Sequence, residues 1–395
     1  MSHPQQQVTP HLIDETVREW MAAQEHTASN VQSLRLKYGL KEPYYSAIAQ
    51  IAAKVKYPRK FQGLPEHWLF PAGQALEQSS SVQTALYKSS FLSTPYFADL
   101  CAGMGIDTWA FASKEMVERG LCFEVNPELA RLLEHNLSNT TVLAKEADLN
   151  DLDRWIRALN IAPADLTIYL DPDRRAAGKR TFGIDEGTPN LLDIQKELLE
   201  RSSRVIAKHS PMLDLNATVD LHQLSEIIIV QRNGECKEVL TIQQAEADTN
   251  SNPTLSVIEL DTEERLVLDR NNLRIDYTEN WEQYLIQPQA GLSKSQAHTD
   301  FAASMGWKST PYGNLYTSSK APQPSSHYRV YEIIEEAGPY RLSNVPERGA
   351  VECIGFPETA DKVRKKLKLK EGATQKVYAL RSGKKKSMIL CRRVN

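Results

Sequence analysis

The chain is predicted to be an α/β protein built on a doubly wound, mainly parallel sheet. A helical segment precedes the sheet and a smaller α+β module comes after it. Three observations predict this. From about residue 91 to 245, short apolar runs alternate with segments of helical periodicity. The alternation ends at a hairpin signal, Asn233-Gly234, with a returning apolar strand behind it. Near its start, the run Phe97-Ala-Asp-Leu-Cys-Ala-Gly-Met-Gly-Ile-Asp107 carries a strand that ends in an acid, a glycine turn and a helix start.

Residues 1–90 read as a helical domain. Leu12, Ile13, Val17 and Trp20–Met21 recur at helical spacing, as do Ile48, Ile51, Ala52 and Val55; Pro58, Pro65 and Pro71 then break the pattern. Phe97–Cys101 is the first strand, Asp107–Arg119 a helix and Leu121–Glu124 the second strand. Pro127–Leu137 is a helix with proline near its start, and Thr141–Ala144 is a short strand. Leu152–Leu159 is helical, Asp165–Leu170 a strand, Leu191–Arg201 a helix and Arg204–Ala207 a buried strand. Leu213–Leu224 contains a helix, and Ile227–Val230 and Val239–Ile242 flank the hairpin turn. Leu255–Leu260 and Arg265–Leu268 read as further strands, so the sheet domain is expected over 91–275.

A connecting segment is expected over 276–325, with one helix at Ser293–Met305 and a Ser/Pro-rich run, Ser318–Ser326, at its end. Residues 326–395 read as a ferredoxin-like α+β module. Its strands are Tyr328–Ile334, Ala350–Ile354, Lys376–Leu380 and Lys386–Cys391, and its basic helix is Thr359–Leu367.

The 395 residues allow two or three domains, and the overall net charge of −3 hides an uneven distribution. From Lys362 to Arg393 the only acid is Glu371, against Arg364, Lys365, Lys366, Lys368, Lys370, Lys376, Arg381, Lys384, Lys385, Lys386 and Arg392 among others. A basic module on a near-neutral chain points to a polyanionic partner, although lysine-rich surfaces also serve solubility alone. No run reaches the roughly 20 apolar residues of a membrane helix, and Met1-Ser-His-Pro-Gln-Gln-Gln has no basic-then-apolar order. Cys101, Cys122, Cys236, Cys353 and Cys391 are scattered, with no Cys/His spacing for a metal. These features lead us to expect a cytoplasmic protein with reduced thiols, no membrane segment and no metal.

The glycine turn specifies a nucleotide-type ligand, and its neighbours choose between two. Gly103 and Gly105 let the backbone approach a ligand, but Asp107 or Thr108 stands where a dinucleotide fingerprint has its third glycine. A carboxylate there repels a pyrophosphate. Asp99, Glu124 and Asp148 close successive strands, where acids can accept hydrogen bonds from an amino acid moiety, ribose hydroxyls and an adenine amino group. With the reversed last strand, this set is expected to bind S-adenosylmethionine (SAM) rather than NAD. The fold is then that of a class I SAM methyltransferase, Rossmann-like, with a seven-stranded sheet and a terminal antiparallel hairpin. Cys101, Asp107, Gln78 and Lys88 are further cofactor candidates, with Ser79 and Ser80 beside them in the helical lead-in.

The fourth strand runs into Asp171-Pro172-Asp173-Arg174-Arg175. Methyltransferases acting on planar amines carry Asp/Asn-Pro-Pro-aromatic here, so Asp171, Pro172, Asp173 and Arg174 are the catalytic candidates. Asp173 replaces the second proline and Arg174 the aromatic ring. Arg174 and Arg175 can stack on a base, bind phosphate, or pair with Asp173, Asp185 or Glu186. Lys208 and Ser210 come after the fifth strand at the same sheet edge and join them as substrate-binding candidates.

Several runs together carry a family resemblance: Gln78-Ser-Ser-Ser with Thr84-Ala-Leu-Tyr-Lys, the glycine loop, Asp171-Pro-Asp-Arg-Arg, Lys208-His-Ser-Pro-Met-Leu-Asp and Glu235-Cys-Lys-Glu. Over most of its length the chain resembles bacterial SAM-dependent methyltransferases with a C-terminal THUMP-like domain, a family common in Bacteroidetes. The glycine loop is also similar to that of ribosomal guanine-N2 methyltransferases. The resemblance implies SAM as cofactor and RNA, ribosomal or transfer, as partner. Asp173 departs from the family pattern, which has a small residue there. A nucleic-acid-binding or assembly protein with little catalysis, and a methyltransferase for protein or small molecules, remain as other readings.

Overall fold

A computed structural model describes residues 14–39, 41–71, 74–146, 151–173, 183–247, 251–271, 273–372 and 374–394. Leu12, Ile13, Asp148, Arg174 and Arg175 lie outside the described residues. Two compact units emerge, Met1–Ser225 with Leu240–Ser251, and Glu226–Val239 with Asn252–Asn395.

The first unit opens on helices α1 (Glu15–Ala22), α2 (Ala28–Tyr38), α3 (Tyr44–Lys56), α4 (Gln74–Gln78) and α5 (Val82–Ser89). Asp14, Thr27 and Ser81 cap α1, α2 and α5 by accepting a backbone N–H in the first turn. Strands β1 (Tyr96–Asp99), β2 (Arg119–Glu124), β3 (Val142–Glu146), β4 (Leu166–Leu170) and β5 (Arg204–His209) then alternate with α6 (Ile106–Ala112), α7 (Pro127–Asn136), α8 (Leu152–Leu159) and α9 (Leu191–Arg201). All pairings among these five strands are parallel, in the order β3-β2-β1-β4-β5. β4 is buried along its whole length, as a strand covered on both faces must be.

The hairpin of β6 (Leu224–Arg232) and β7 (Glu235–Gln244) turns at Asn233-Gly234, both with positive φ. Strand order then continues β5-β7-β6-β8-β9, with β8 (Thr254–Glu259) and β9 (Glu264–Leu268). The sheet therefore has nine strands, not the expected seven. β8 pairs parallel with β6, and β9 returns antiparallel to it.

The N-terminal helices are not a separate domain. Phe61, Trp68, Leu69, Phe70 and Ala85 share one apolar core with Met104 of the glycine turn, Ile106 of α6, Leu132 and Leu133 of α7, and Cys122 and Ala144 of the sheet. Asn136, at the end of α7, accepts from the Leu69 N–H (2.9 Å) and donates to the carbonyls of Leu69 (3.0 Å) and Met104 (3.1 Å). One buried amide thus ties the lead-in to the glycine turn.

In the second unit, the segment read as a connector carries β10 (Asp276–Tyr277), β11 (Tyr284–Pro288), α10 (Ala290–Lys294), α11 (His298–Ser304), β12 (Lys308–Ser309) and β13 (Tyr316–Ser318). These strands join β14 (Tyr328–Ala337), β15 (Ala350–Ile354), β16 (Gln375–Ser382) and β17 (Lys385–Arg393) in one eight-stranded sheet, ordered β10-β12-β13-β11-β14-β17-β16-β15. Strands of two to five residues give too few alternations to show a period, which is why 276–325 looked unstructured. The single helix expected at 293–305 is two short ones, and 213–224 holds only a 3₁₀ turn at Leu215–Asp220. The helix predicted to 119 stops at Ala112, where Ser113 takes up the C-cap position.

The C-terminal strands and α12 (Ala360–Lys366) are α+β, but one helix between parallel strands β15 and β16 replaces the two helices of a ferredoxin-like module. Val363 of α12 packs with Val377, Ala379, Met388 and Leu390 on one face of that sheet. Among the described residues no helix is long and apolar enough to cross a membrane.

Candidate functional site

The C-terminal ends of β1, β2 and β4 open on a cavity of about 730 Å³ within the first unit, a volume suited to a nucleoside-sized ligand. The glycine turn forms its floor. Gly103 and Gly105 have φ of +56° and +90°, a region that favours glycine. A Cβ on Gly103 would meet nothing within 4 Å and would take ligand space, whereas one on Gly105 would come within 2.6 Å of Leu133.

Each acid in the wall is fixed by local geometry. Asp99, 1 % exposed at the end of β1, accepts from the Cys101 N–H (3.2 Å) and the Thr108 hydroxyl (2.6 Å). Burial nonetheless raises its carboxyl to about 7, and the negative charges of Asp107 and Asp171 push the same way. Glu124, at the end of β2, spans two turns: Oε2 accepts from the Gly103 N–H (3.0 Å) and Oε1 from the Asn126 N–H (2.8 Å). Burial raises its carboxyl as well. Cys101 lines the wall, and burial pushes its thiol far above the ordinary range. Val125, 70 % exposed, and Leu129 add apolar wall on the Glu124 side.

Asp107 lies in the first turn of α6 and belongs to a buried cluster. Its Oδ2 accepts from Ser80 Oγ (2.8 Å), Lys88 Nζ (2.9 Å) and Tyr169 OH (2.8 Å). Lys88 Nζ also lies 2.8 Å from Oδ1. Lys88 is completely buried and is not part of the cavity wall, but it donates to two residues that are, Ser80 and Asp107. Gln78, Ser79 and Ser80 do line the cavity.

Asp171, Pro172 and Asp173 line the cavity too, together with Thr188 and Pro189. A two-way backbone pairing of Asp173 with Thr188 (3.0 and 2.8 Å) holds that wall. Parallel pairing of β4 with β5 sets Leu170 beside Ala207, so Asp171 and Lys208 come next side by side, and Lys208 donates to Asp171 Oδ2. Lys208 and Ser210 are not in the wall themselves, and Ser210 Oγ accepts the Met212 N–H (3.1 Å) in a local turn.

The structure thus brings together Asp99, Cys101, Gly103, Gly105, Asp107, Glu124, Gln78, Asp171, Pro172 and Asp173 around one space. Tyr169 was missed, hidden in an apolar strand, although it stands two residues before Asp171 and so shares its face. Lys60 was missed too. It caps the end of α4 through the carbonyls of Leu76 (3.0 Å) and Glu77 (2.8 Å), and burial, with Lys208 nearby, lowers its amine to about 8. Among the described residues, no group of three or more His, Cys, Asp or Glu could hold a metal ion.

No family model matches the chain. It is 22 % identical, over 322 residues, to uncharacterized S-adenosylmethionine-dependent methyltransferases of two Mycobacterium tuberculosis strains, CDC 1551 and H37Rv, covering 80 % of this chain and 85 % of each relative. It is also similar to the crystal structure of a presumed methyltransferase from Porphyromonas gingivalis W83. There the TM-score is 0.80 and the identity 25 %, with 96 % of this chain and 98 % of the other covered. The chain is a SAM-dependent methyltransferase with the class I fold. For this methyltransferase the fit to SAM is visible in the cavity: acids at two strand ends, a glycine floor open to a ligand, and apolar wall beside Glu124.

Proposed function

We propose that this methyltransferase modifies RNA, ribosomal or transfer, at a base nitrogen such as an exocyclic amine. One observation carries the reading of the site: the glycine turn and Asp171-Pro172 face the same cavity, so cofactor and acceptor positions adjoin. Asp99, Asp107, Glu124, Gly103 and Gly105 would hold SAM, together with Asp148. SAM supplies an electrophilic methyl group. The chain's task is then to hold the acceptor nitrogen in line and keep water out, which is chiefly a matter of positioning.

Asp171, with one oxygen held by Lys208, is suited to accept a hydrogen bond from an acceptor N–H on the other. Arg174 and Arg175 would meet the nucleotide. Support for a polyanionic acceptor comes from residues 326–395, with 16 Lys and Arg against 8 Asp and Glu. Lys384, Lys385 and Lys386 are all exposed at the β16–β17 turn.

Two measurements test this. SAM should bind in titration calorimetry, and Asp99→Ala should weaken it at least tenfold; an unchanged variant would remove Asp99 from the site. Labelled methyl should enter total RNA from a deletion strain, with nucleoside mass spectrometry identifying a methylated base. Incorporation into protein or metabolites alone would overturn the RNA assignment.

A further inference from the structure

Lys88 carries its ammonium group deep inside the first unit. It is 0 % exposed, while its partner Asp107 is 8 % exposed. Burying such a pair costs so much desolvation that apolar residues of similar size would often be as stable or more so. The pair is therefore poorly explained by stability alone. Four separate segments converge on it: Ser80 before α5, Lys88 on α5, Asp107 on α6 and Tyr169 on β4. Only Ser80 and Asp107 face the cavity.

We propose that Lys88 and Tyr169 are positioning residues for the cofactor: they hold Asp107, and through it Ser80, as an anionic wall that receives the ammonium group of SAM's methionine moiety. This rests on the cavity being the SAM site.

The electrostatics agree with the geometry. Burial alone would raise the Asp107 carboxyl, but the charges of Lys88 and Lys208 and the bonds from Lys88 and Tyr169 outweigh it, and the net direction is down. Asp99 feels the charge of Asp107, and its own carboxyl goes the other way. Of these three carboxyls, Asp107 is the one shifted down, while Asp99 and Glu124 are shifted up. The place of Asp107 in the first turn of α6, at the positive end of that helix, acts in the same downward direction.

The test uses three ligands: SAM, S-adenosylhomocysteine and 5′-methylthioadenosine, the last lacking the amino acid moiety. In a Lys88→Met/Asp107→Asn double variant, SAM and S-adenosylhomocysteine should bind at least tenfold more weakly, while methylthioadenosine stays within threefold. Tyr169→Phe, a milder change, should weaken the first two about threefold with an unchanged melting temperature. It also serves as the second measurement if the double variant fails to fold. Equal loss for all three ligands would make the cluster merely structural, and no loss for any would remove its role; either result overturns the proposal. Glu124→Ala separates the underlying reading. It should weaken all three ligands, and if it changes none, the cavity is not the SAM site.

Discussion

At the scale of single residues, Asp99 is the group in the cavity best placed to respond to pH. Its carboxyl, ordinarily near 3.8, sits at about 7 in the fold, so near neutrality the free enzyme holds a proton that the unfolded chain has lost. The sign comes from linkage: between these two values the unfolded chain binds fewer protons, so the stability of the free enzyme falls as pH rises. A cationic cofactor favours the ionised form and expels the proton. SAM affinity should therefore drop below pH 7, by up to about tenfold per pH unit. Calorimetry at pH 6.5 in phosphate and in Tris should show different apparent enthalpies, the mark of proton release. Asp99→Asn should abolish the difference, and equal enthalpies in the wild type would refute the assignment. Asp99, Glu124 and Asp171 were legible in the sequence because each ends an apolar run. Tyr169 and Lys88 were harder to place. A tyrosine inside a buried strand looks like core, and nothing local to Lys88 says that its ammonium group points inward at Asp107.

At the scale of elements, the strand–turn–helix of β1 and α6 works because its two glycines do different jobs. Gly105 needs both its φ of +90° and its missing Cβ, since Leu133 and Leu137 crowd the position. Gly103 needs only the conformation; the space beside it is open. Gly105→Ala should destabilise the fold by about 2–3 kcal/mol. Gly103→Ala should cost about 1 kcal/mol yet reduce SAM affinity more than its stability loss explains. Denaturant unfolding alongside SAM titration distinguishes them, and identical profiles for the two variants would contradict this division. Elements with a clear period were legible: α8 and α9 occupy their expected residues, Leu152–Leu159 and Leu191–Arg201, and Asn190 caps α9. α6 was overestimated. Residues 113–119 continue a helix-compatible composition, but Glu118 and Arg119 are drawn toward the Pro95 carbonyl at the start of β1.

At the scale of the whole molecule, the C-terminal basic strands belong to a larger sheet, which changes how RNA binding should be tested. β14 pairs with β11 on one side and β17 on the other, so deleting residues 326–395 would strip β11 of a partner along its whole length. Substituting the exposed turn is the cleaner experiment. Lys384, Lys385 and Lys386 changed together to Ser should weaken RNA binding about tenfold or more at moderate salt and lower the salt slope, with SAM affinity unchanged. Unaltered RNA binding would leave the basic turn a solubility feature. Several other basic groups are already neutralised locally: Lys366 by Glu358, Lys370 by Glu347, Lys376 by Glu352 and Arg392 by Glu332.

The sequence by itself determined the alternation of β1 to β5 with helices, the reversed hairpin and the acids at the strand ends. These arise from apolar periodicity and turn chemistry, which act between near neighbours and leave a local trace. Only the tertiary structure decided that the N-terminal helices share a core with the sheet, that the sheet runs to nine strands, and that residues 276–325 supply strands to a second sheet. It also decided that Lys88 faces Asp107 while Lys208 faces Asp171. Pairings across tens of residues depend on which surfaces meet, and a lysine's spacing along the chain does not record the carboxylate it will meet in space.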